Sequence, residues 1–206
     1  VFGSVGGRGK GEQFRGVRWF GDVATVVTFR PTPPLYTVDL STPTAPLVLG
    51  ELKVPGYSAY LHPLGGGLIL GVGQDADETG RVRGAQMATF DLSDLAAPTR
   101  VDTSVQPDSW TDVEGDSRQF TYLPDLRTAV VPISDQAGSA LWAVRVEPDG
   151  SLSTAGRWDV GRDGWLVRAL PVAGQRLLAL TEHSGGAEVS LLSAADLSEG
   201  ASTTLR

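Results

Sequence analysis

Cysteine and asparagine are both absent from the 206 residues. Without thiols there is neither a disulfide framework nor a thiolate metal site, and nothing marks the redox compartment. Without asparagine there is no N-x-S/T acceptor for a glycan. Imidazole is scarce: His62 and His183 are the two histidines, with no HExxH and no paired spacing, so a zinc hydrolase is not expected. Lysine stands only at 10 and 53, and a formal net charge of -7 denies the chain the basic face that neutralises phosphates, so no nucleic-acid partner is expected. No run approaches the roughly 20 apolar residues of a transmembrane segment. No i, i+3, i+4 stripe of helical length occurs either: residues 177–180 are too few, and 194–197 make one turn at most. The opening Val1-Phe2-Gly3-Ser4 lacks the charged and apolar regions of a signal peptide, and a start without Met reads as an excised segment or processed product. The glycine-rich Gly6 to Gly11 fails the Walker pattern twice, needing Gly at Ser4 and Ser or Thr at Gly11, and no G-x-S-x-G elbow exists.

What the chain does have is β-strand material and turns. Hydrophobic residues make up 41% and charged ones 20%, enough to bury a core, while Gly 26 and Pro 13 supply many corners. Apolar runs recur in cycles of roughly half a hundred residues, the third run of each ending at an acidic corner. The corner is clearest at Val38-Asp39-Leu40-Ser41 and Phe90-Asp91-Leu92-Ser93, with a looser Ala195-Asp196-Leu197-Ser198. Period-2 patterning and turn chemistry give sixteen strands in four cycles. The first holds strands near 16–20, 23–29, 35–38 and 46–53. The second places them near 57–62, 68–72, 86–90 and 99–103, with a longer loop before 86. The third uses 118–122, 128–133, 140–146 and 152–158, and the last 165–170, 176–181, 188–192 and 201–205.

Repeats of that size built from strands are the four-stranded blades of a β-propeller. The expected fold is therefore all-β, with blades at about 12–54, 55–105, 110–160 and 161–206 in a single propeller domain or segment. Residues 1–11 read as the end of a preceding blade or as a linker. Four blades make either a small closed ring or part of a larger one. In the second case an end blade exposes an apolar sheet face, which invites a second copy or an upstream propeller fragment.

The stretches Val17-Arg18-Trp19-Phe20-Gly21-Asp22, Pro34 to Ser41, Gly50 to Pro63 and Gly71 to Glu78 resemble a bacterial secreted β-propeller family, distantly related to WD-type repeat proteins. The likeness is strong from about Gly6 to Asp116 and thin beyond. It implies an extracytoplasmic location, secreted or associated with the cell envelope, a place toward the C-terminal end of a longer protein, and no established reaction. Two positions depart from the family pattern: Pro33-Pro34 stands where Asp-Pro is expected, and Asp116-Ser117 where Asp-His is expected.

Three chemistries remain open on the residues. The first strands of the blades, which line a propeller's channel, bring Arg18, His62, Arg118 or Tyr122, and Arg168 forward as ligand-binding candidates, since guanidinium groups hold anions bidentately. The bland alternative pairs those arginines with Asp22, Glu114 or Asp116 to brace turns. Asp75, Asp77 and Thr79 precede Gly80 with oxygen atoms at alternate positions, as in the start of a Ca²⁺ loop, but position 12 is Gln86 rather than Glu; a solvated acidic hairpin is the alternative. His62 sits where a corner residue is expected and His183 in an exposed turn. Of the tryptophans most are expected between sheets, with Trp110 and Trp165 near loop ends facing a partner. The leading expectation is a non-enzymatic binding or scaffolding module for a protein or cell-envelope ligand, without a cofactor. Its rivals are a hydrolase or lyase using His62 and Asp116 as acid and base with Arg18 or Arg168 on an anion, and a propeller stapled by Ca²⁺.

Overall fold

The computed structural model describes residues 3–6, 13–29 and 34–205; most of the glycine-rich opening and the proline break at 30–33 lie outside them. Four antiparallel sheets of four strands follow one another along the chain, each a simple up-and-down meander. Blade 1 consists of β1 (Gln13–Phe20), β2 (Val23–Phe29), β3 (Pro34–Asp39) and β4 (Leu47–Lys53). Blade 2 has β5 (Tyr57–Gly65), β6 (Leu68–Ala76), β7 (Val82–Asp91) and β8 (Thr99–Pro107). Blade 3 has β9 (Thr121–Leu123), β10 (Thr128–Asp135), β11 (Gly138–Val146) and β12 (Leu152–Gly161), and blade 4 has β13 (Gly164–Val172), β14 (Arg176–His183), β15 (Gly186–Ser193) and β16 (Glu199–Leu205). Among the described residues no helix is long and apolar enough to cross a membrane.

The sixteen strands fall where the patterning puts them, with two corrections. Residues 118–120 are not strand: Ser117–Gln119 form a 3₁₀ turn capped by Asp116, so β9 is only three residues long. The longer loop of the second cycle is a tight hairpin, because β6 and β7 pair out to Ala76 and Val82. The ends of these strands, Gly73-Gln74-Asp75-Ala76 and Val82-Arg83-Gly84-Ala85, lack the sustained alternation that reveals a half-buried strand.

The repeated acidic corners share one device. Between the third and fourth strand of every blade an aspartate Oδ1 accepts the backbone N–H of the serine two residues on: Asp39 from Ser41 at 2.8 Å, Asp91 from Ser93 at 2.8 Å, Asp149 from Ser151 at 2.9 Å and Asp196 from Ser198 at 3.1 Å. These are Asx turns, which reverse the chain with a side chain in place of a backbone carbonyl. The hydrogen bonds from each serine hold the four carboxyls below the usual aspartate range.

The chain forms two compact units, Val1–Val105 with blades 1 and 2, and Gln106–Arg206 with blades 3 and 4. In the first unit Val27 and Leu35 of blade 1 are buried in one cluster with Leu61, Ile69, Ala88 and Phe90 of blade 2. In the second, Val130, Leu141 and Ala143 of blade 3 share a cluster with Ala169, Leu177, Ala179 and Leu192 of blade 4. Each such apolar side chain withdrawn from water contributes about 1.5–3 kcal/mol for the larger ones, which is what holds neighbouring blades face to face.

Strand registers let rows of one blade be matched to rows of another. One row runs across blade 1 as Arg18, Thr25, Thr37 and Gly50, and across blade 3 as Thr121, Val130, Ala143 and Gly156. A bulge lies beside the row in both fourth strands. In each case the row faces the following blade. A Cβ at Gly50 would lie 2.3 Å from the Leu95 carbonyl, and one at Gly156 would lie 2.1 Å from the Asp196 carbonyl, so both glycines let the next blade's corner approach the sheet.

Candidate functional site

In the first unit the candidate residues meet at the seam between β1 and β5. Arg18 Nε donates to the Leu61 carbonyl at 2.7 Å, and its guanidinium carbon lies 4.5 Å from the centre of the Tyr60 ring, a cation–π contact. Arg18 therefore spans two blades rather than pairing with Asp22. His62, one residue beyond Leu61 and half-buried, has its pKa lowered first by burial and then by the Arg18 charge, which favours the neutral imidazole.

In the second unit the charges gather around Asp116. Its two oxygens accept from Arg118 Nε at 2.7 Å and Arg118 Nη2 at 2.9 Å, while Arg168 Nη2 lies 3.8 Å away. The Arg118 side-chain hydrogen bonds come first in holding the Asp116 carboxyl below the aspartate range, with the backbone N–H of Arg118 next. The cluster borders a groove of about 760 Å³ with Trp165, Leu170, Leu178 and Leu180 along its floor. Tyr122 is elsewhere: it lines a separate pocket of about 340 Å³ with Pro124, Pro171 and Arg176, and burial raises its pKa.

Arg18, His62, Tyr122 and Arg168 all lie on the first strand of a blade, as the alignment of the cycles has it; Arg118 lies in the 3₁₀ turn before β9. They do not occupy one level. The row through Arg18 carries His62 in blade 2, Thr121 in blade 3 and Leu170 in blade 4, with Arg168 two residues earlier and Tyr122 one later. Bulges interrupt β1 between Phe14 and Gly16, β5 between Ser58 and Tyr60, and β13 between Leu166 and Arg168. Each adds an unpaired residue, and counting by alternation slips there.

Asp75 ends in strand β6, while Asp77 closes the hairpin. The Asp77 Oδ1 accepts from the Thr79 N–H at 2.9 Å, the Thr79 hydroxyl and the Arg81 N–H at 3.1 Å, and Oδ2 lies 3.6 Å from Arg83. The Thr79 hydroxyl is thus a donor to Asp77. Among the described residues no group of three or more His, Asp or Glu side chains is placed to hold a metal ion. His183 is not an exposed turn residue: it ends β14, 3.0 Å from the Thr181 hydroxyl and 3.7 Å from Glu188.

Other residues escaped sequence reasoning. Arg157 on β12 reaches Asp135 at 2.8 Å, Asp159 at 2.8 Å and Gln106 at 3.1 Å, tying three segments of the second unit together. Thr121 donates to the Ala169 carbonyl at 2.9 Å, the blade 3 counterpart of the Arg18 contact. Of the tryptophans, Trp142 is fully buried, whereas Trp19 is 67% and Trp165 59% exposed. A tryptophan beside the Gly21-Asp22 turn was the available signal for the first; a cross-blade hydrogen bond left none.

A protein-family model described as a beta propeller domain matches residues 1–177. An uncharacterized protein of Methanocaldococcus jannaschii is 39% identical over 137 residues, 66% of this chain and 21% of that protein. One from Archaeoglobus fulgidus is 39% identical over 120 residues, 58% of this chain and 18% of its own. The chain thus spans about a fifth of the length of the curated relatives it matches. Among solved structures, the periplasmic gluconolactonase PpgL of Pseudomonas aeruginosa aligns with a TM-score of 0.54 at 12% identity, over 90% of this chain and 55% of that one, a likeness of fold alone. With four meander blades, repeated Asx corners and a family model covering most of its length, this chain belongs to the beta propeller domain family.

Proposed function

We propose that the chain is a non-catalytic, extracytoplasmic binding or scaffolding module for a protein or cell-envelope ligand, which it meets with side chains on and beside the first strands of its blades. The reading is carried by the state of Asp116. A carboxylate gripped by Arg118 through both oxygens and kept ionised is a weak base and is not an acid near neutral pH. His62 is biased toward neutrality, and its neighbour Arg18 is spent on a carbonyl and an aromatic ring. Such groups suit recognition, where a guanidinium edge meets an anionic group of the ligand. The likeness to a lactonase adds nothing against this, because a propeller hosts unrelated activities on one scaffold.

The full chain, with Asp116→Ala and His62→Ala, is to be screened against ester, lactone, glycoside and peptide substrates. No turnover above the buffer blank is expected from any of them. A reaction present in the wild type and abolished in either variant would overturn the reading in favour of the hydrolase or lyase.

A further inference from the structure

One buried side chain of the first unit is out of keeping with its surroundings. Gln86 of β7 is 2% exposed and shares its face of blade 2 with Ala88 and Phe90, which pack in the cluster with Val27 and Leu35 of blade 1. Its amide oxygen Oε1 has no hydrogen-bond partner among the described residues. Removing such an oxygen from water without replacing its hydrogen bond is costly, and buried carbonyls are normally bonded. Gln86 borders a small cavity of about 10 Å³, whose polar wall is Gly56, Tyr57 and Ser58 and whose apolar wall includes Val27 and Phe90. Gly56, at φ +78°, leaves this space open, since a Cβ there would lie 3.2 Å from Gln86 Oε1.

In the second unit the equivalent row is satisfied by protein groups. Ser58, Gly73 and Gln86 form one row across β5, β6 and β7, beside the β5 bulge, and Leu166, Thr181 and Glu188 form the same row across β13, β14 and β15, beside the β13 bulge. Thr181, 1% exposed, sets its hydroxyl 3.0 Å from His183 Nε2 and 3.4 Å from the Glu188 carbonyl. Blade 2 has glycine there and has no room for more, because a Cβ at Gly73 would lie 2.0 Å from the Tyr57 carbonyl. The sheet therefore cannot supply a hydroxyl of its own beside Gln86. We propose that the cavity is the binding site of one ordered water molecule, which donates a hydrogen bond to Gln86 Oε1, shares a second with the Ser58 hydroxyl, and so does for the first seam what the Thr181 hydroxyl does for the second. The space matches a single water, and its polar wall offers the two or more partners that a water needs and that a dry apolar void lacks.

A high-resolution crystal structure of the full chain, together with ¹⁷O magnetic relaxation dispersion of the solvent, tests this. Density for one water within about 3 Å of Gln86 Oε1 is expected in the wild type, a result that depends on no variant folding. Gln86→Met keeps the bulk of the side chain and removes its oxygen, so the dispersion should count one long-lived water fewer than in the wild type. Ser58→Ala keeps the room and removes one partner, and should shorten the residence time of that water about tenfold. Circular dichroism checks that each variant is folded. No density beside Gln86 Oε1, an unchanged count in a folded Gln86→Met, or a residence time indifferent to Ser58→Ala would each overturn the proposal. So would a urea midpoint that rises in Gln86→Met, since that is the mark of an oxygen left without any partner.

Discussion

The two units close their inner seams at the same place with different chemistry. In the first, Arg18 of β1 reaches the Leu61 carbonyl of β5; in the second, Thr121 of β9 reaches the Ala169 carbonyl of β13. Donor and acceptor hold equivalent registers in both, so the architecture asks for a donor of the right reach and not for a particular residue. The choice has chemical consequences. A hydroxyl leaves the second seam neutral, and that unit's charges collect outside the row, around Asp116. A guanidinium in the first places a fixed cation beside Tyr60 and His62 and lowers the pKa of the imidazole. The glycines at the other end of the row are the part that does not vary between the two.

Those glycines give the sharpest test. Gly50→Ala would set a Cβ against the Leu95 carbonyl and the Pro98 ring, and Gly156→Ala against the Asp196 carbonyl and its Cα. Backbone cannot yield as a flexible side chain does, so each substitution should cost on the order of 1–3 kcal/mol in urea unfolding. Ala201→Gly, at the same register of the exposed β16, should change stability by about 0.5 kcal/mol or less. If Gly50→Ala and Gly156→Ala differ widely, the two seams are not the same structure.

Next in size is the pair of clasps. Thr121→Val keeps the shape but loses the donor to Ala169, leaving a buried carbonyl with one partner fewer, at about 1 kcal/mol. Arg157→Ala, confined to the second unit, removes the link among Asp135, Asp159 and Gln106 at roughly 1 kcal/mol, because the cluster is a network and only partly exposed. Its loss should also flatten the acid limb of the stability curve. Arg157 is the first cause holding the Asp135 carboxyl below its usual range, so the stabilisation is complete above an unfolded pKa of about 4 and disappears as pH falls through the lower folded value. Urea midpoints at pH 7 and pH 3 for wild type and variant measure it.

What could be read without coordinates were the local devices. Asp39-Leu40-Ser41 and Asp91-Leu92-Ser93 are turns made by residues two apart, and β-branched runs such as Val23 to Phe29 declare their period within themselves. The candidate site was legible as far as its strands, since Arg18, His62, Tyr122 and Arg168 all lie on first strands. Their levels were not legible. An unpaired residue at a bulge, as at 59 in β5 and 167 in β13, shifts every later position by one without changing composition. Contacts such as Arg18 with Leu61 or Thr121 with Ala169 span 43 and 48 residues and depend on how blades face each other, which no periodicity encodes. Trp19, 67% exposed, looked alike in kind to the buried Trp142 for the same reason, whereas the exposed Trp165 is expected at a loop end.

The smallest effect separates the seams by charge rather than by packing. His62 has a folded pKa below the ordinary histidine value of about 6.5, through burial first and the Arg18 charge second. A depressed pKa means that the folded state prefers the neutral ring, so stability from this source is complete above 6.5 and is lost as pH falls toward the lower folded value while the unfolded chain takes up its proton. Comparing urea midpoints at pH 7.5 and 5.5 should therefore show a decline in the wild type, in a window where aspartates remain ionised. His62→Gln should reduce the decline. Arg18→Met should reduce it in part, since it lifts the Coulombic share and leaves the burial share, whereas Thr121→Val, which lowers stability at both pH values, should leave the difference between them unchanged. Equal pH slopes for Arg18→Met and wild type would mean that the guanidinium in the first seam, like the hydroxyl in the second, is only a clasp.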